Sequence, residues 1–328
     1  MMNNSRDRYR ALCETEQTIP VFSQPWWLDS VCGENKWDVV IVEKGGEIQA
    51  TMPYYMRRRG VITMPLLTQA MGPWLRSGPS SYAKELSRQK ELMTALIRNL
   101  PDYHLFYQHF HYAITNWLPF YWQGFSQTTR YTYVIDDLSN LDQVFAAFSK
   151  AKRKNLKKAQ GEGLEMRWDV PCDVFYNNHA ETLAKQGETI SYGYDLFKEI
   201  YNKAYERNQG RTLGAFDSSG RMHSAIFLVW DSMSAYDLIS TIDPDLRNSG
   251  SATLLIQDLV KFVAEMGLSR FDFEGSMIES VENSFRQFGA KQYSYFSITR
   301  DLRSFGRKRG DRLRVMAGRG LRRLGFLR

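Results

Sequence analysis

The chain has 328 residues, more than one ordinary hydrophobic core accommodates and a typical length for two domains. Hydrophobic residues make up 43% of it and charged residues 24%, a balance that excludes disordered and fibrous proteins. Its three scattered cysteines form neither a disulfide framework nor a zinc motif, which favours a reducing compartment. Because there is also no apolar stretch of about 18 residues and no signal-peptide core at the start, we expect a cytoplasmic protein.

The net charge of +7 is concentrated at the C-terminus. Residues 300–328 contain eleven basic and two acidic residues, a charge of +9, which leaves −2 for the rest of the chain. We therefore predict a basic tail over 301–328 rather than a globule that binds nucleic acid over its whole surface. Leucines and a methionine at helical spacing between its arginines are typical of an amphipathic helix on an anionic membrane surface. That interpretation predicts peripheral binding at the inner face of the membrane, and a disordered solubilising tail is the alternative.

In chain order, the pattern of apolar residues and turn signals predicts a mixed α/β fold in both halves. The first half contains predicted helices 22–31 and 81–100 and strands 37–43, 47–56, 61–67, 103–110 and 131–135. The second half contains predicted helices 141–160, 172–186, 194–208, 251–266 and 281–288 and strands 164–170, 213–216, 222–230, 235–242, 271–273 and 293–299.

Two short segments resemble each other across the two halves. Residues 46–52 (GEIQATM) and 220–226 (GRMHSAI) each place a turn glycine before a similar order of apolar and small residues. The similarity indicates two copies of one α/β unit, although any two hairpins can look alike over seven residues.

A loop of small residues joins the predicted strand 235–242 to the predicted helix 251–266. Free N–H groups at a helix start favour a phosphate or pyrophosphate, and small residues let the backbone approach it closely. The R-x-x-G-x-A pattern at such a junction resembles the pyrophosphate-binding loop of GNAT acyltransferases. The resemblance implies that acyl-CoA, such as acetyl-CoA, binds here as a co-substrate without a permanently bound cofactor, and we expect the loop to be exposed. Its residues are Arg247, Asn248, Ser249, Gly250, Ser251 and Ala252.

Further segments resemble the FemAB-like branch of the GNAT superfamily, which includes BioF2-like acetyltransferase domains. FDFEGS at 271–276 and SFRQFG at 284–289 resemble its FDFGG…FK-x-x-FG region, and the basic run 150–159 resembles its R-x-x-I/L-x-x-A helix. FSQPWWLDSV and MGPWL, near the N-terminus, resemble its first half. The sequence departs from this pattern at Arg286, where lysine is usual, and at Glu274, where glycine is common.

The resemblance covers about residues 20–300 and implies an α/β (α+β) fold of tandem GNAT-like domains, each with a mixed central sheet flanked by helices. We therefore predict an N-terminal GNAT-like domain over 1–138. A C-terminal GNAT domain with the acyl-donor site would span 139–300, followed by the basic tail over 301–328.

Asp272 and Glu274 are the candidate catalytic residues. Residues two apart in a strand share one face, so both carboxylates are expected together beside the donor loop. Partial burial would raise the pKa of Glu274 and let it accept a proton, through water, from an attacking ammonium. The alternative is that one carboxylate is a helix cap or a solvated residue at the sheet edge.

Four other residues are candidates for substrate binding. Arg286 would hold an anionic group of the acceptor or the thioester oxygen, unless it forms an ordinary ion pair on a helix surface. Tyr192 and Tyr194 would line an acceptor cleft, although aromatic residues at this spacing are common in cores. Arg153 belongs to a basic run that would face a substrate phosphate or RNA, and a solvated helix end is its alternative.

Other reaction chemistries find no support in the residue pattern. The five histidines show no compact ligand motif, so no metal site is predicted. Neither a G-x-S-x-G elbow nor a Cys/His pairing indicates a hydrolase.

These features together predict an N-acyltransferase that moves an acyl group from acyl-CoA to an amine acceptor. The acceptor would be a small or lipid-linked molecule, such as an amino sugar or a cell-envelope precursor. In one alternative the donor is aminoacyl-tRNA and the basic helix contacts the RNA. In another, the fold has lost its chemistry and binds glycan or nucleic acid.

Overall fold

The structure, a computed structural model, describes residues 4–78, 81–275 and 277–303. By their contacts, the residues group into two compact units. Of the described residues, those in 4–130 and 294–303 form the first unit, and those in 131–293 form the second. The predicted domain boundaries after 138 and 300 stay a prediction. The predicted membrane-binding segment of the tail lies outside the described residues.

The first unit contains helices α1 (Ser5–Thr15), α2 (Pro25–Cys32), α3 (Tyr82–Arg98) and α4 (Leu118–Trp122). Its strands are β1 (Trp37–Lys44), β2 (Glu47–Arg58), β3 (Val61–Thr63), β4 (Trp74–Leu75) and β5 (Leu105–His109). The chain passes between the units within β6 (Ser126–Ile135) and β12 (Lys291–Asp301).

The sheet of the first unit is mixed, in the order β1-β2-β3-β5-β12, with β4 paired to β2. Strands β3 and β5 are parallel and the other pairs are antiparallel. Alternate residues of β1 face opposite sides: Val40 packs with Leu96 of α3, whereas Val39 packs in the same cluster as Leu12 of α1. Helices therefore cover both faces of this sheet.

The second unit contains helices α5 (Leu141–Ala146), α6 (Lys150–Gly161), α7 (Cys172–Ala184), α8 (Tyr194–Glu206), α9 (Ser251–Glu265) and α10 (Glu279–Arg286). Its further strands are β7 (Glu165–Trp168), β8 (Gly210–Phe216), β9 (Met222–Trp230), β10 (Ser234–Ile242) and β11 (Arg270–Asp272).

The sheet of the second unit is also mixed, in the order β6-β11-β10-β9-β8-β7. Only β10 and β11 are parallel. Leu156 of α6 and Leu259 of α9 pack into the hydrophobic cluster on one face, and Phe175 of α7 and Phe197 of α8 pack around Phe227 of β9. The predicted α/β architecture, with mixed sheets flanked by helices, is confirmed.

One predicted helix, 141–160, is wrong because the chain forms α5 and α6 instead. The break lies at Ser149, which has extended backbone and caps α6 by accepting a hydrogen bond from the N–H of Lys152 at 3.2 Å. A serine at an N-cap satisfies one of the free N–H groups of the helix start. The break separates the apolar helix α5 from the basic helix α6.

Candidate functional site

The parallel strands β10 and β11 separate at their carboxyl ends. They pair only from Ser234 with Arg270 to Tyr236 with Asp272. Beyond this point β10 continues to Ile242, whereas β11 ends. Glu274 and Gly275 then take positive φ angles of 57° and 63°, which turn the chain away from the strand direction. In sheets with parallel strands, ligands bind outside the carboxyl ends, so this edge is the candidate site.

The candidate donor loop joins β10 to α9 at the same edge. Arg247 begins a 3₁₀ turn that is exposed at Arg247 and Asn248 but buried at Ser249. Gly250 is buried with a left-handed φ of 82°, and a Cβ there would overlap the carbonyl oxygen of Asn155 in α6. The expectation of an exposed loop is therefore wrong for its second half. Gly250 allows the loop to pack directly against α6.

The first turn of α9 presents a polar backbone. The N–H of Ser251 donates to Oγ of Ser249 at 3.3 Å, and the N–H of Thr253 donates to the carbonyl of Gly250 at 3.0 Å. The N–H of Ala252 has no acceptor in the part of the chain that is described. Oγ of Ser251 also accepts a hydrogen bond from Ser224 of β9 at 2.8 Å, which fixes the helix start to the sheet. A helix start of this kind attracts anions through its free N–H groups and its dipole.

A row of lysines runs along α6, the helix that contacts the loop. Lys150, Lys154, Lys157 and Lys158 are exposed and lie on one side of the helix, because they are spaced four, three and one residue apart. None of them has a carboxylate partner among the residues that the structure describes. The exposed Arg247 and this lysine row together make the surroundings of the α9 start basic.

Lys152 of α6 faces inward, unlike the lysine row. Its Nζ donates to Oγ of Ser284 in α10 at 2.8 Å and lies 3.9 Å from the ring centroid of Phe288. Burial lowers the pKa of Lys152 to about 8. Nothing in the sequence pattern distinguishes Lys152 from its neighbours, yet within the described residues it is the lysine of this run that tethers α6 to α10.

Asp272 is fully buried at the end of β11. Its Oδ1 accepts hydrogen bonds from Oγ1 of Thr132 at 2.5 Å and from the N–H of Glu274 at 2.8 Å. Its Oδ2 has no hydrogen-bond partner within the described residues. Burial raises the pKa of Asp272 to about 7, against the effect of these hydrogen bonds, and the charges of Asp231 and Asp237 contribute to the rise. Asp272 can therefore exchange a proton near neutral pH.

The predicted arrangement of Glu274 on the same strand face as Asp272 is wrong. β11 ends at Asp272, and Glu274 has left-handed backbone outside the strand. The turn is held by Gly275, where a Cβ would overlap the carbonyl oxygen of Tyr131. Glu274 is half-buried, and its backbone N–H, not its side chain, makes the described link to Asp272.

Asp237 is a buried acid that the sequence analysis missed. It lies where β10 leaves β11, at a bulge between Asp237 and Ile239, and Oγ of Ser240 donates to both of its oxygens at 2.8 Å. Burial raises its pKa to about 7. The available signal was a single carboxylate within the otherwise apolar strand sequence AYDLIS, and its burial depends on the bulge.

The other predicted site residues have contacts that fit their structural alternatives. Arg286 is exposed and pairs with Glu282 at 3.4 Å on α10. Arg153 donates to the carbonyl of Ala146 at 3.0 Å and so caps α5.

The two tyrosines belong to an aromatic cluster. Tyr192 is buried and stacks with Phe197. Tyr194 is half-buried, with its ring edge-on to that of Tyr176 at 5.1 Å between centroids. A role of Arg153, Tyr192, Tyr194 or Arg286 in substrate binding stays a prediction.

Metal binding and membrane spanning find no support in the described residues. No group of three or more His, Cys, Asp or Glu side chains there is arranged to hold a metal ion. No helix in the described ranges is both long enough and apolar enough to span a bilayer.

Comparison with known proteins identifies a domain and a fold. The family model described as "Acetyltransferase (GNAT) domain" matches residues 146–293, nearly the whole second unit. No curated protein matches the chain.

Solved structures match over most of the chain. A crystal structure of FemX is 12% identical, covers 90% of this chain and 96% of its own, and has a TM-score of 0.61. L-PGS from Bacillus licheniformis is 10% identical, and the match covers 92% of this chain and 94% of L-PGS with a TM-score of 0.51. A protein of unknown function from Bacteroides thetaiotaomicron is 11% identical, and the match covers 90% of this chain and 97% of that protein with a TM-score of 0.55. At such low identities, the TM-scores and coverages show a shared fold and no more, in agreement with the resemblance to the FemAB-like branch.

Proposed function

We propose that this acyltransferase, whose residues 146–293 form a GNAT domain, moves an acyl group from acyl-CoA to an amine acceptor. One observation carries the proposal: the start of α9, with its buried Gly250 and exposed Arg247, lies at the edge where β10 and β11 separate. A pyrophosphate at the helix start would place the rest of the donor along the gap between the two strands.

In this proposal the chain binds and orients the donor mainly through its backbone. The N–H of Ala252 and the dipole of α9 hold the pyrophosphate, and the side chain of Arg247 neutralises its charge. The thioester lies between the diverging strands, where backbone N–H groups polarise its carbonyl. The acceptor nitrogen attacks the carbonyl carbon, the new C–N bond forms and the C–S bond breaks, and CoA leaves as a thiolate.

The attacking amine must lose a proton before or during this step. Asp272 is the buried acid at the end of β11, and its pKa of about 7 suits a group that accepts a proton near neutral pH. Glu274, half-buried beside it, would pass the proton to solvent. The same carboxyl groups favour a cationic ammonium as the acceptor, such as that of an amino sugar or a cell-envelope precursor. A cytoplasmic location, where acyl-CoA is available, is part of the proposal.

The donor can be tested by thermal unfolding with and without acetyl-CoA. A ligand that binds only the folded state stabilises it by about 2.7 kcal/mol when its concentration is 100 times Kd. We expect a rise in melting temperature with acetyl-CoA and release of free thiol when an amine acceptor is added. No shift at millimolar acetyl-CoA would contradict the donor assignment.

A second candidate donor is aminoacyl-tRNA, and the lysine row of α6 is the observation that favours it. Lys150, Lys154 and Lys157 face solvent without carboxylate partners in the described structure, as a surface that follows an RNA backbone would. The fold shared with FemX is compatible with this candidate.

Charge reversal distinguishes the two donors. Under the second candidate, the triple variant K150E/K154E/K157E binds tRNA more weakly. The slope of log affinity against log salt concentration also becomes less steep by about three, one for each lost lysine contact. The control is K44E/R59E/K84E, three exposed residues of the first unit with the same change in charge. Equal tRNA affinity of the two triple variants would leave acyl-CoA as the donor.

A further inference from the structure

Helix α4 presents an unusual concentration of large apolar side chains to solvent. Tyr121 is 60% exposed, Trp122 59% and Leu118 43%, although the helix is only five residues long. Its other two residues, Pro119 and Phe120, are buried and hold the helix against the first unit. Three large exposed side chains on one turn indicate a surface that binds a partner.

Two cationic side chains lie beside α4 and the segment that follows it. No Asp or Glu occurs between residues 103 and 135, a stretch that contains the whole of α4 and the segments on both sides of it. Nζ of Lys90 in α3 lies 5.9 Å from the ring centroid of Trp122. On the C-terminal side of α4, the guanidinium of Arg300 lies 5.2 Å from the ring centroid of Phe125. An anionic partner therefore complements this surface.

The exposed rings of Tyr121 and Trp122 also carry polar atoms. Within the described residues, neither the hydroxyl of Tyr121 nor the indole N–H of Trp122 has a partner. Tyrosine and tryptophan with free polar ends suit a membrane interface, where the ring contacts acyl chains and the polar atom meets the headgroups. Lysines beside such rings reach toward anionic phosphates.

From these observations we propose that α4 and its rim, formed by Lys90 and Arg300, dock onto the interface of a bilayer that contains anionic lipid. The aromatic rings enter the headgroup region and the two cations contact lipid phosphates. This surface consists of residues that the structure describes, whereas the tail segment for which the sequence predicts a membrane contact lies outside the described residues. It is also independent of which donor the second unit uses.

The test is co-sedimentation of the full chain with vesicles of phosphatidylcholine alone or mixed equally with phosphatidylglycerol. The variant Y121S/W122S changes two exposed side chains, so it should fold normally, which a thermal melt verifies. The control Met233→Ser removes an exposed apolar side chain from the turn before β10 in the second unit. All three proteins carry the same C-terminal tail, so a difference between them reports on α4.

We expect the unchanged protein to partition more strongly to the mixed vesicles, and Y121S/W122S to bind them at least tenfold more weakly. Met233→Ser should bind as the unchanged protein does. If the double variant misfolds, Trp122→Ser alone should still weaken binding severalfold. Equal partition of the variants, or no vesicle binding by the unchanged protein, would overturn the proposal. The proposal would also be overturned if the unchanged protein self-associates and Y121S/W122S does not, while the two bind vesicles equally. The surface would then join two copies of the chain.

Discussion

The backbone N–H of Glu274 donates a hydrogen bond of 2.8 Å to Oδ1 of Asp272. Glu274 can do so because its left-handed backbone, with φ of 57°, folds the chain back over the end of β11. A non-glycine residue in this conformation is uncommon and strained, and such residues are enriched at functional sites. The bond keeps the buried Asp272 and the half-buried Glu274 next to each other at the opening between β10 and β11.

Replacing Glu274 tests whether it takes part in proton transfer. Glu274→Gln keeps the backbone turn and the shape of the side chain but removes the carboxylate. If Glu274 passes the proton to solvent, turnover should fall about 10²–10⁴-fold while the affinity for acetyl-CoA stays unchanged. Steady-state rates between pH 6 and 9, with calorimetry for the donor, measure both quantities. A rate close to that of the unchanged protein across this range would remove Glu274 from the proton path.

Asp272 should make stability depend on pH. Its pKa is about 7 in the folded protein because it is buried, whereas an exposed aspartate titrates near about 4. Between these pH values the folded state holds a proton that the unfolded chain has lost, so stability falls as pH rises and levels off above pH 7. Asp272→Asn cannot ionise at this position. Its free energy of unfolding, relative to that of the unchanged protein, should therefore rise by on the order of 2 kcal/mol from pH 5 to pH 8.

Urea unfolding at pH 5 and pH 8 measures this difference. The control is Asp137→Asn, because hydrogen bonds from Ser139 lower the pKa of the exposed Asp137 and it stays ionised across the range. Asp237 should leave part of the pH dependence in the Asp272 variant, since its pKa is also about 7. Identical pH dependence of all three proteins would show that Asp272 is ionised in the folded state.

Two glycines with nearly the same φ should respond differently to alanine. Gly250, at 82°, lies against the carbonyl oxygen of Asn155, whereas Gly220, at 81°, has nothing within 4 Å of the position of a Cβ. Gly220→Ala should cost about 1 kcal/mol from the left-handed backbone alone. Gly250→Ala should cost roughly 1–3 kcal/mol more, because the loop must move away from α6. Equal melting temperatures of the two variants would contradict the packing of the loop on α6.

The sequence predicts the class of the fold and the position of the loop between β10 and α9 well, because both depend on local patterns. The apolar periodicity of β8 to β10, followed by small residues and a helix, needs no tertiary information. The break at Ser149 was missed because the apolar face of α5 runs directly into a good helix-forming sequence.

The arrangement of the site depends on features that only the tertiary structure provides. The turn at Glu274 ends β11 early, and periodicity alone would continue the strand. The burial of Asp237 follows from the bulge in β10, and the close approach of Gly250 to α6 follows from how two distant segments pack. Residue types therefore indicated the region of the candidate site, whereas the burial and contacts of its residues required the structure.

The assignment of acyl-CoA as the donor requires that Arg247 and the start of α9 hold the pyrophosphate of CoA. Calorimetric titration of CoA into three proteins tests it: the unchanged chain, Arg247→Glu, and Arg59→Glu as a control at an exposed arginine in the turn between β2 and β3. We expect CoA to bind the unchanged chain and Arg59→Glu equally, and Arg247→Glu at least tenfold more weakly, since about 1.4 kcal/mol corresponds to a factor of ten. Equal affinity of all three proteins, or no binding to any of them, would contradict the account.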